Sequence, residues 1–395
     1  MVFSVSVSPR TRRVAKGTAV AMLMVSALAF SACAPSSGGQ QGDGNSGSPA
    51  GEPTWDVFAA PSVGGMVPVT KDGDTVSIEV VGGQVVEIDT ATKPKVAFAS
   101  MGQGNSFTAT SVKAAQDAAD FYGYDLTVFD AGFDASKQRD QIETIINSGD
   151  YPLLMVQMMN VSSCLGKEAA AAGIVTTLVN VSDCNGSNLP NDQMLADGYM
   201  NGVFGSATAA AYRTFAERVI ADTKSPSKAI VIAGPIGQPA SDMMVGELQK
   251  QSAGSDLEIV AVARDEQGSY QYGLTAAEAL LTANPDVNVV IADFSETTEG
   301  ALEAAKSLGR DDLVIYDYGA NQAILDAVDA GTVRATQPYF PYTSAYVAMS
   351  SLILASQGES VPRIILNDGR PAVGDTTDPV WVTKDNIADF RKAEY

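Results

Sequence analysis

The sequence predicts an α/β protein with two doubly wound, Rossmann-like lobes whose parallel sheets are joined by a hinge. Short apolar runs of four to seven residues recur along the chain, which is typical of parallel strands that are buried on both faces. Ala-rich stretches lie between these runs, and several of them end in Gly or Asn, where helices commonly stop. Because strands and helices alternate, we expect parallel sheets covered by helices.

The predicted strands are rich in apolar and β-branched residues. They lie at residues 96–100, 125–129, 153–156, 175–179, 229–233, 257–263, 289–292 and 313–316. The pattern breaks near residues 195–205 and restarts with a long predicted helix at residues 201–223. This break predicts two lobes of similar size.

Each predicted lobe is built from two segments, because the chain crosses between the lobes more than once. The lobes comprise residues 93–197 with 340–364, and residues 198–339 with 365–395. We expect the crossings near residues 196–198, 339–340 and 363–366. Extended crossings of this kind would let the lobes open and close about a hinge.

The composition excludes several classes of function. The chain has 395 residues, a formal net charge of −21 and no histidine. An acidic surface repels phosphate backbones, so we expect no nucleic-acid partner. The absence of histidine removes the Ser-His-Asp triad and every His-ligated metal site. Neither a phosphate-binding P-loop pattern nor a nucleophile elbow occurs, so we expect no enzyme, no metal and no cofactor.

The first segment predicts export and a lipid anchor. Residues 1–32 have a basic start and an apolar run at residues 18–30, which is shorter than the ~20 residues needed to span a bilayer. The phrase FSAC, which ends at Cys33, resembles the lipobox of bacterial lipoproteins and implies lipidation of that cysteine. Cleavage after Ala32 with an incidental cysteine is the alternative. The phrase TRRVAK resembles a diluted twin-arginine motif, so the export route stays open.

The segments behind the predicted anchor differ in composition. Residues 33–53 are rich in Gly, Ser and Pro and predict a flexible tether. Residues 54–92 predict an N-terminal extension with a hairpin around Gly82 and Gly83. Cys164 and Cys184 form an even pair in an exported chain, which favours a disulfide over two free thiols.

Amide, carboxylate and aromatic side chains follow the predicted strands. In open α/β sheets, ligands bind outside the carboxyl ends of the strands. The candidate ligand-binding residues at these ends are Asn105, Phe107, Gln157, Asn180, Tyr270, Phe294, Asp317, Tyr318 and Tyr339. Amides and carboxylates form directed hydrogen bonds to hydroxyl groups, and ring faces cover the C–H faces of a sugar. The sequence therefore predicts a site for a small polar ligand.

From residue 93 to about residue 395, the chain resembles the type I periplasmic binding proteins, in their ribose- and sugar-binding branch. The phrases that carry the resemblance include KVAFASMGQGNSF, LLTANPDVNVVIADFSETTEGALEAAKSLGRDDLVIYDYGANQAI and PVWVTKDNI. The resemblance implies the type I periplasmic-binding-protein fold and a ligand of the sugar or polyol class. It also implies a monomer at the extracytoplasmic face of the cell membrane that delivers its ligand unchanged to an ABC permease.

Several strand-end residues match positions where this family binds ligand. Asn105 and Phe107 match the asparagine and the stacking ring of the family's first loop. Tyr270 matches a second stacking aromatic, and Gln157 falls where the family often has an asparagine. Tyr339 falls where a polar residue on the hinge side binds ligand.

Other positions depart from the family pattern. Asp317 and Tyr318 lie at the family's G-F-D-G phrase, which here reads Y-D-Y-G, so either side chain could face the cleft. Asn180 stands where the family has an Asp-Arg pair, and no arginine lies at residues 241–244. Phe294 replaces a common asparagine and makes the pocket more apolar.

Because this chain lacks the two arginines expected from the family pattern, the sequence also allows other ligand classes and other functions. A cationic or amino-bearing solute or a nucleoside would suit a cleft of rings and carboxylates. The residues for such a cleft are Asp242, Asp293, Glu296, Asp317, Tyr270, Phe294, Tyr318, Tyr339 and Tyr342. The closed form could serve a sensor instead of a permease. An exported carbohydrate-active enzyme would need two carboxyl groups about 5–10 Å apart across the cleft.

Overall fold

The computed structural model describes residues 62–180, 184, 193–224, 226–264, 268–366, 380–390 and 392–395. The predicted signal peptide, Cys33, the predicted tether and residues 54–61 lie outside the described residues.

The described residues form sixteen strands and nine α-helices. Strands β1 to β16 span Ser62–Met66, Val69–Asp72, Thr75–Glu79, Val85–Asp89, Val96–Ser100, Leu126–Asp130, Leu153–Val156, Val175–Val179, Asn201–Val203, Ser227–Ala233, Leu257–Arg264, Val289–Asp293, Val314–Gly319, Ala335–Pro338, Pro362–Ile365 and Val382–Thr383. Helices α1 to α9 span Ser106–Tyr122, Ala135–Ser148, Gly166–Ala171, Ala209–Asp222, Pro239–Ser252, Tyr270–Ala283, Ser295–Ser307, Gln322–Ala330 and Pro341–Gln357.

The strands assemble into two large sheets and one small one. The larger sheet has the order β1-β15-β9-β8-β7-β5-β6, and all its pairs are parallel except that of β1 with β15. The second sheet has the order β11-β10-β12-β13-β14-β16, with only β16 antiparallel. We call the two sheets with their packed helices the first and the second lobe. This architecture confirms the predicted fold class of two doubly wound parallel lobes.

Strand β5 lies inside the first sheet, and its sequence does not alternate between apolar and polar residues. All five of its residues are buried. Ala97 and Ala99 pack into the core on one face of the sheet, while Val96 and Phe98 pack into the core on the other. A strand that is covered on both faces needs apolar side chains at every position, because neither face meets water.

The prediction of a long helix at residues 201–223 is wrong for its first residues. Asn201–Val203 forms β9, which pairs in parallel with β8 and with β15. The Asn201 side chain accepts a hydrogen bond of 2.5 Å from Thr177 Oγ1 in β8. Helix α4 begins only after Thr208, whose hydroxyl oxygen accepts from the Ala211 N–H and caps the helix.

In the part of the chain that the structure describes, the order of the strands implies three crossings between the lobes. It leaves the first sheet after Val203, so the first sheet extends beyond the predicted boundary at residue 197. It returns between β14 and α9, which packs against α1 and three strands of the first sheet. It crosses again after β15. These crossings place α9 and β15 in the first lobe and the described residues 380–395 beside the second lobe.

Residues 62–89 add to the first lobe. Strand β1 extends its sheet beyond β15, and β2-β3-β4 form a separate antiparallel sheet. The predicted hairpin is confirmed, because β3 pairs with β4 around Gly82 and Gly83, which both have left-handed φ angles. Its buried Ile78 and Val86 share one apolar core with Phe98 of β5.

A disulfide joins Cys164 and Cys184 within the first lobe, where their Cα atoms lie 5.6 Å apart. Among the described residues, none of the helices combines the length and the apolar character needed to cross a membrane.

Candidate ligand-binding site

A cleft between the lobes narrows to an inner cavity of about 50 Å³, which is room for a few water molecules. The residues that line it include Met101, Asn105, Phe107, Phe133, Met159 and Asn180 from the first lobe, Pro235, Gln238, Gly268 and Phe294 from the second lobe, and Tyr339 at a crossing. An outer cavity of about 710 Å³ shares Asn105, Phe133 and Gly268 with it. The two cavities are therefore the inner end and the mouth of one cleft.

The lining residues come from the carboxyl ends of strands in both sheets. Asn180 directly follows β8, Phe294 directly follows β12, and Tyr339 directly follows β14. Phe133 and Met159 lie in the loops after β6 and β7. Parallel strands direct these loops to the same edge of each sheet, which is where α/β proteins of this kind bind ligands.

Strained backbone is concentrated at this cavity. Four non-glycine residues in the described chain have left-handed φ angles: Phe133, Asn180, Phe294 and Ala320. The first three line the inner cavity. Such a conformation costs on the order of 1–3 kcal/mol per residue and is retained mostly at functional sites. The surrounding structure holds these two rings and one amide in strained conformations where they border the cavity.

The start of α1 supplies a capped helix end and a ring. Asn105 is the N-cap, and its side-chain oxygen accepts from Thr108 N at 3.0 Å and from Thr108 Oγ1 at 2.9 Å. The Phe107 ring lies edge-on to Tyr339, with ring centroids 5.5 Å apart, and edge-on to Tyr395 at 5.9 Å. These contacts fix the Phe107 ring in the cavity wall.

Two predicted amides have buried oxygens without a hydrogen-bond partner among the described residues. Asn180 Oδ1 is one of them, and Asn180 lines the inner cavity. Gln157 Oε1 is the other, although Gln157 lies behind the lining, where its Nε2 donates to Ser111 Oγ at 3.1 Å. An unsatisfied buried acceptor costs about 1–3 kcal/mol, which a hydroxyl donor from a ligand would offset at Asn180.

The structure places Asp317 and Tyr318 behind the cavity wall, within the second lobe. The Asp317 carboxylate accepts from Thr298 Oγ1 at 2.5 Å, from Thr336 Oγ1 at 2.6 Å and from Ala320 N at 2.9 Å. Burial raises the pKa of Asp317 to about 6. These bonds occupy both carboxylate oxygens with partners of the protein itself.

Tyr318 is fully buried and belongs to an aromatic cluster. Its hydroxyl donates to Ser206 O at 2.6 Å and accepts from Gln337 Nε2 at 2.7 Å. Its ring packs against Tyr212 and Tyr339, with centroids 4.8 Å away in each case. Tyr318 thus supports Tyr339 from behind.

Tyr270 lies at the mouth of the cleft. It borders the outer cavity together with Glu296, and 42% of it is exposed. The structure therefore brings Asn105, Phe107, Asn180, Phe294 and Tyr339 to the inner cavity and leaves Tyr270 farther out.

A buried polar cluster lies under Tyr339. The Tyr339 hydroxyl is 2.8 Å from Tyr212 Oη and 3.4 Å from Asp293 Oδ1, to which it donates. Asp293 Oδ2 accepts from Ser241 Oγ at 2.5 Å. Burial raises the pKa of Asp293 to about 6, against the opposing hydrogen bonds.

The other acids suggested for a cationic ligand have partners of their own. Asp242 pairs with Arg264. Glu296 accepts hydrogen bonds across the cleft from the backbone N and the hydroxyl of Ser106, at 3.2 Å for the backbone N. Within the described ranges, no group of three or more His, Cys, Asp or Glu side chains could hold a metal ion.

Sequence reasoning missed part of the lining. Phe133 and Met159 follow predicted strands, so the same strand-end rule could have identified them. Gln238 lies just before α5, where its side chain also accepts from Ser241 N. Tyr395 gave no sequence signal, because it contacts Phe107 only through the tertiary fold.

Two α/β lobes around a central cleft define a class of two-lobed solute-binding proteins. The family described as "Periplasmic binding protein domain" matches residues 96–360, and the chain belongs to this family. This membership confirms the resemblance drawn from the sequence, and the family is one of extracytoplasmic solute-binding proteins.

Two relatives illustrate the similarity in sequence. The chain is 26% identical over 275 residues to the putative rhizopine-binding protein of Rhizobium meliloti, which covers 68% of this chain and 83% of the relative. It is 26% identical over 273 residues to the ribose import binding protein RbsB of Bacillus subtilis, which covers 66% of this chain and 81% of the relative.

Solved structures share the fold. A solute-binding protein of Bacillus halodurans with bound myo-inositol aligns with a TM-score of 0.64 and 19% identity, over 77% of this chain and 99% of the other. One from Mycobacterium smegmatis with bound glycerol aligns with a TM-score of 0.62 and 22% identity, over 75% of this chain and 96% of the other.

Proposed function

We propose that this protein captures a neutral sugar or polyol between its lobes and delivers it unchanged to an ABC permease. The observation that carries the proposal is the inner cavity, which both lobes line and whose described lining includes no charged side chain. Rings and amides of this kind would cover the C–H surface of a sugar and bond its hydroxyls.

The charge distribution favours a neutral ligand over a cationic one. Ring faces alone would attract a cation only weakly, and a carboxylate at the cavity surface would be needed to offset the charge of a cationic ligand. Asp293 lies beneath Tyr339 and bonds Ser241, and Asp242 pairs with Arg264. Glu296 borders the outer cavity, where Ser106 already donates to it. Ribose, which the name of one relative prints, and the myo-inositol and glycerol bound in two solved structures are neutral sugars and polyols, whereas the other relative is named for rhizopine.

Lobe closure supplies the mechanism of capture. A ligand that occupies the cleft from the inner cavity outward to the mouth contacts both lobes only when they are closed, so it binds the closed state more tightly and shifts the population toward it. The Ser106–Glu296 bond joins the lobes at the mouth in this arrangement. A micromolar dissociation constant requires about −8 kcal/mol, which ring stacking and a few buried hydrogen bonds supply after ordering costs. The ligand leaves chemically unchanged.

We propose that the protein works as a lipid-anchored monomer at the extracytoplasmic face of the membrane. The basis is the apolar run of residues 18–30 followed by Cys33 and a Gly/Ser/Pro-rich segment. A diacyl-type modification would supply enough buried CH₂ groups for stable attachment.

A thermal-shift screen followed by titration calorimetry tests the ligand class. The panel contains D-ribose, myo-inositol and glycerol as neutral candidates, with a nucleoside and a polyamine as the alternatives. We expect at least one neutral polyol to raise the melting temperature, because a ligand that binds only the folded state stabilises it by mass action. Stabilisation by the polyamine alone would reject the proposal.

A further inference from the structure

We propose that residues 393–395 act as a latch that ties the second lobe to the first and positions Phe107 in the cavity wall. Residues of both lobes contact this short segment directly. The inference rests on the proposed function only in taking the cleft as the ligand site.

Two hydrogen bonds with Gln322, the first residue of α8, anchor the latch on the second lobe. Ala393 N donates to Gln322 Oε1 at 3.1 Å, and Gln322 N donates to Tyr395 O at 3.1 Å. The Tyr395 hydroxyl forms a hydrogen bond with Ser295 at the start of α7. Gly319 leaves room for that hydroxyl, because a Cβ at this position would lie 3.1 Å from it.

Glu394 holds the first lobe by capping α9. Its carboxylate accepts from Tyr342 N at 2.9 Å, from Thr343 N at 3.1 Å and from Thr343 Oγ1. The N-cap position of α9 is Phe340, which makes no side-chain capping bond. A carboxylate at a helix N-terminus is favourable, because it satisfies free N–H groups and interacts with the positive end of the helix dipole. Glu394 therefore supplies the cap that the local sequence lacks.

Tyr395 links this latch to the ligand cavity. Its ring meets the Phe107 ring at a centroid distance of 5.9 Å and an interplanar angle of 84°. Phe107 belongs to α1 of the first lobe and lines the inner cavity. A residue attached to the second lobe thus supports a binding ring of the first lobe.

These contacts depend on the relative position of the lobes. We expect opening of the cleft to move the anchors at Ser295 and Gln322 relative to Phe107 and the start of α9, and so to break at least one of these sets of contacts. The latch therefore lowers the free energy of the closed state relative to the open state, and it does so with or without ligand.

The test measures the distance between the lobes in the ligand-free protein. Spin labels are placed at Asn147→Cys in α2 and Lys306→Cys in α7. Both positions are exposed, and each lies near the C-terminal end of its helix, on the side of the lobe opposite the cleft. Pulsed electron spin resonance then gives the shares of open and closed distances. We expect a measurable closed share that falls about threefold or more in Tyr395→Ala, with a similar fall in Glu394→Gln.

A milder variant and an exposed control variant distinguish loss of the latch contacts from general destabilisation of the fold. Tyr395→Phe keeps the ring against Phe107 and loses only the Ser295 bond, so its closed share should lie between those of the wild type and Tyr395→Ala. Asp311→Asn removes an exposed charge of the second lobe and should leave the distances unchanged. If Tyr395→Ala does not fold, the closed share of Glu394→Gln alone tests the latch.

The proposal is overturned by wild-type distances in both Glu394→Gln and Tyr395→Ala, or by a ligand-free wild type that shows only the open distance. A failed sugar screen would count against the proposed function alone, because this measurement uses no ligand.

Discussion

Phe107 is fixed by edge contacts with Tyr339 and Tyr395, so its ring is oriented in the cavity wall before ligand arrives. Preorganised rings bind with a lower ordering cost than mobile ones. The ring should therefore contribute directly to ligand affinity.

We predict that Phe107→Ala weakens binding of the ligand found in the screen by at least 1 kcal/mol, or about fivefold, as measured by calorimetry. Phe121→Ala in the same helix is the matched control, because Phe121 is 41% exposed and lies far from the cavity lining. Tyr270→Ala should have a smaller effect than Phe107→Ala, since Tyr270 borders the outer cavity. Equal affinities for the wild type and Phe107→Ala would place the site elsewhere.

The buried carboxyls Asp293 and Asp317 predict a specific dependence of stability on pH. Burial raises the pKa of each from 3.8 to about 6, so the folded protein holds these protons more tightly than the unfolded chain. Their contribution to stability is complete below pH ~4 and is lost as the pH rises through ~6.

Asp317→Asn should flatten this dependence. From pH 4 to 7, the wild type should lose on the order of 1–3 kcal/mol more unfolding free energy than the variant, measured by denaturant unfolding. Asp311→Asn serves as the exposed control. The prediction fails if the pH profiles of the wild type and Asp317→Asn run parallel.

Single residues show how far the sequence could predict the site. That Asn105, Phe107, Asn180, Phe294 and Tyr339 lie together at the inner cavity could be predicted, because the loops after parallel strands meet at one edge of the sheet. The same rule suggested Asp317 and Tyr318, whose side chains instead bond and pack within the second lobe. Sequence position fixes which loop a residue occupies, but neighbouring side chains decide which way it points.

At the level of elements, β9 shows where local reasoning fails. The sequence pattern assigns residues 201–203 to the start of a long helix, and only pairing with β8 and β15 makes them a strand. The apolar strands at residues 96–100, 153–156 and 175–179 were predictable to the residue, because burial on both faces leaves a continuous apolar signal. Short strands that depend on distant partners carry no such signal.

The hairpin of β3 and β4 provides a matched stability test. Val86 is 2% exposed and pairs with Ile78, whereas its neighbour Val85 is 54% exposed. Val86→Ala should lower the unfolding free energy by about 1–3 kcal/mol, because it leaves a cavity in the core. Val85→Ala should change it by less than about 0.5 kcal/mol. Equal losses in chemical denaturation would show that the hairpin does not fold with the first lobe.

For the whole molecule, the two-lobed fold followed from strand–helix alternation and one break in the pattern, because each parallel strand requires a crossover helix. The placement of residues 62–89 could not be predicted, since an added sheet has no fixed position in a doubly wound fold. The position of the added sheet depends on which apolar surface the rest of the first lobe leaves exposed.

Membrane attachment is a further prediction at this scale. Cys33→Ser should move the protein from the membrane fraction to the soluble fraction of its host, because the lipid chains would be absent. Cys164→Ser with Cys184→Ser is the matched control, since it removes a disulfide of the folded body and leaves Cys33 in place. Retention of Cys33→Ser in washed membranes would contradict the anchor.

Helix α9 is buried along nearly all of its length, and β3 lies against it in the same core. The family match begins at Val96, so β3, which covers one part of α9, lies before the matched region. A shortened chain that starts at Val96 would expose the part of α9 that β3 covers, and we expect such a chain to aggregate.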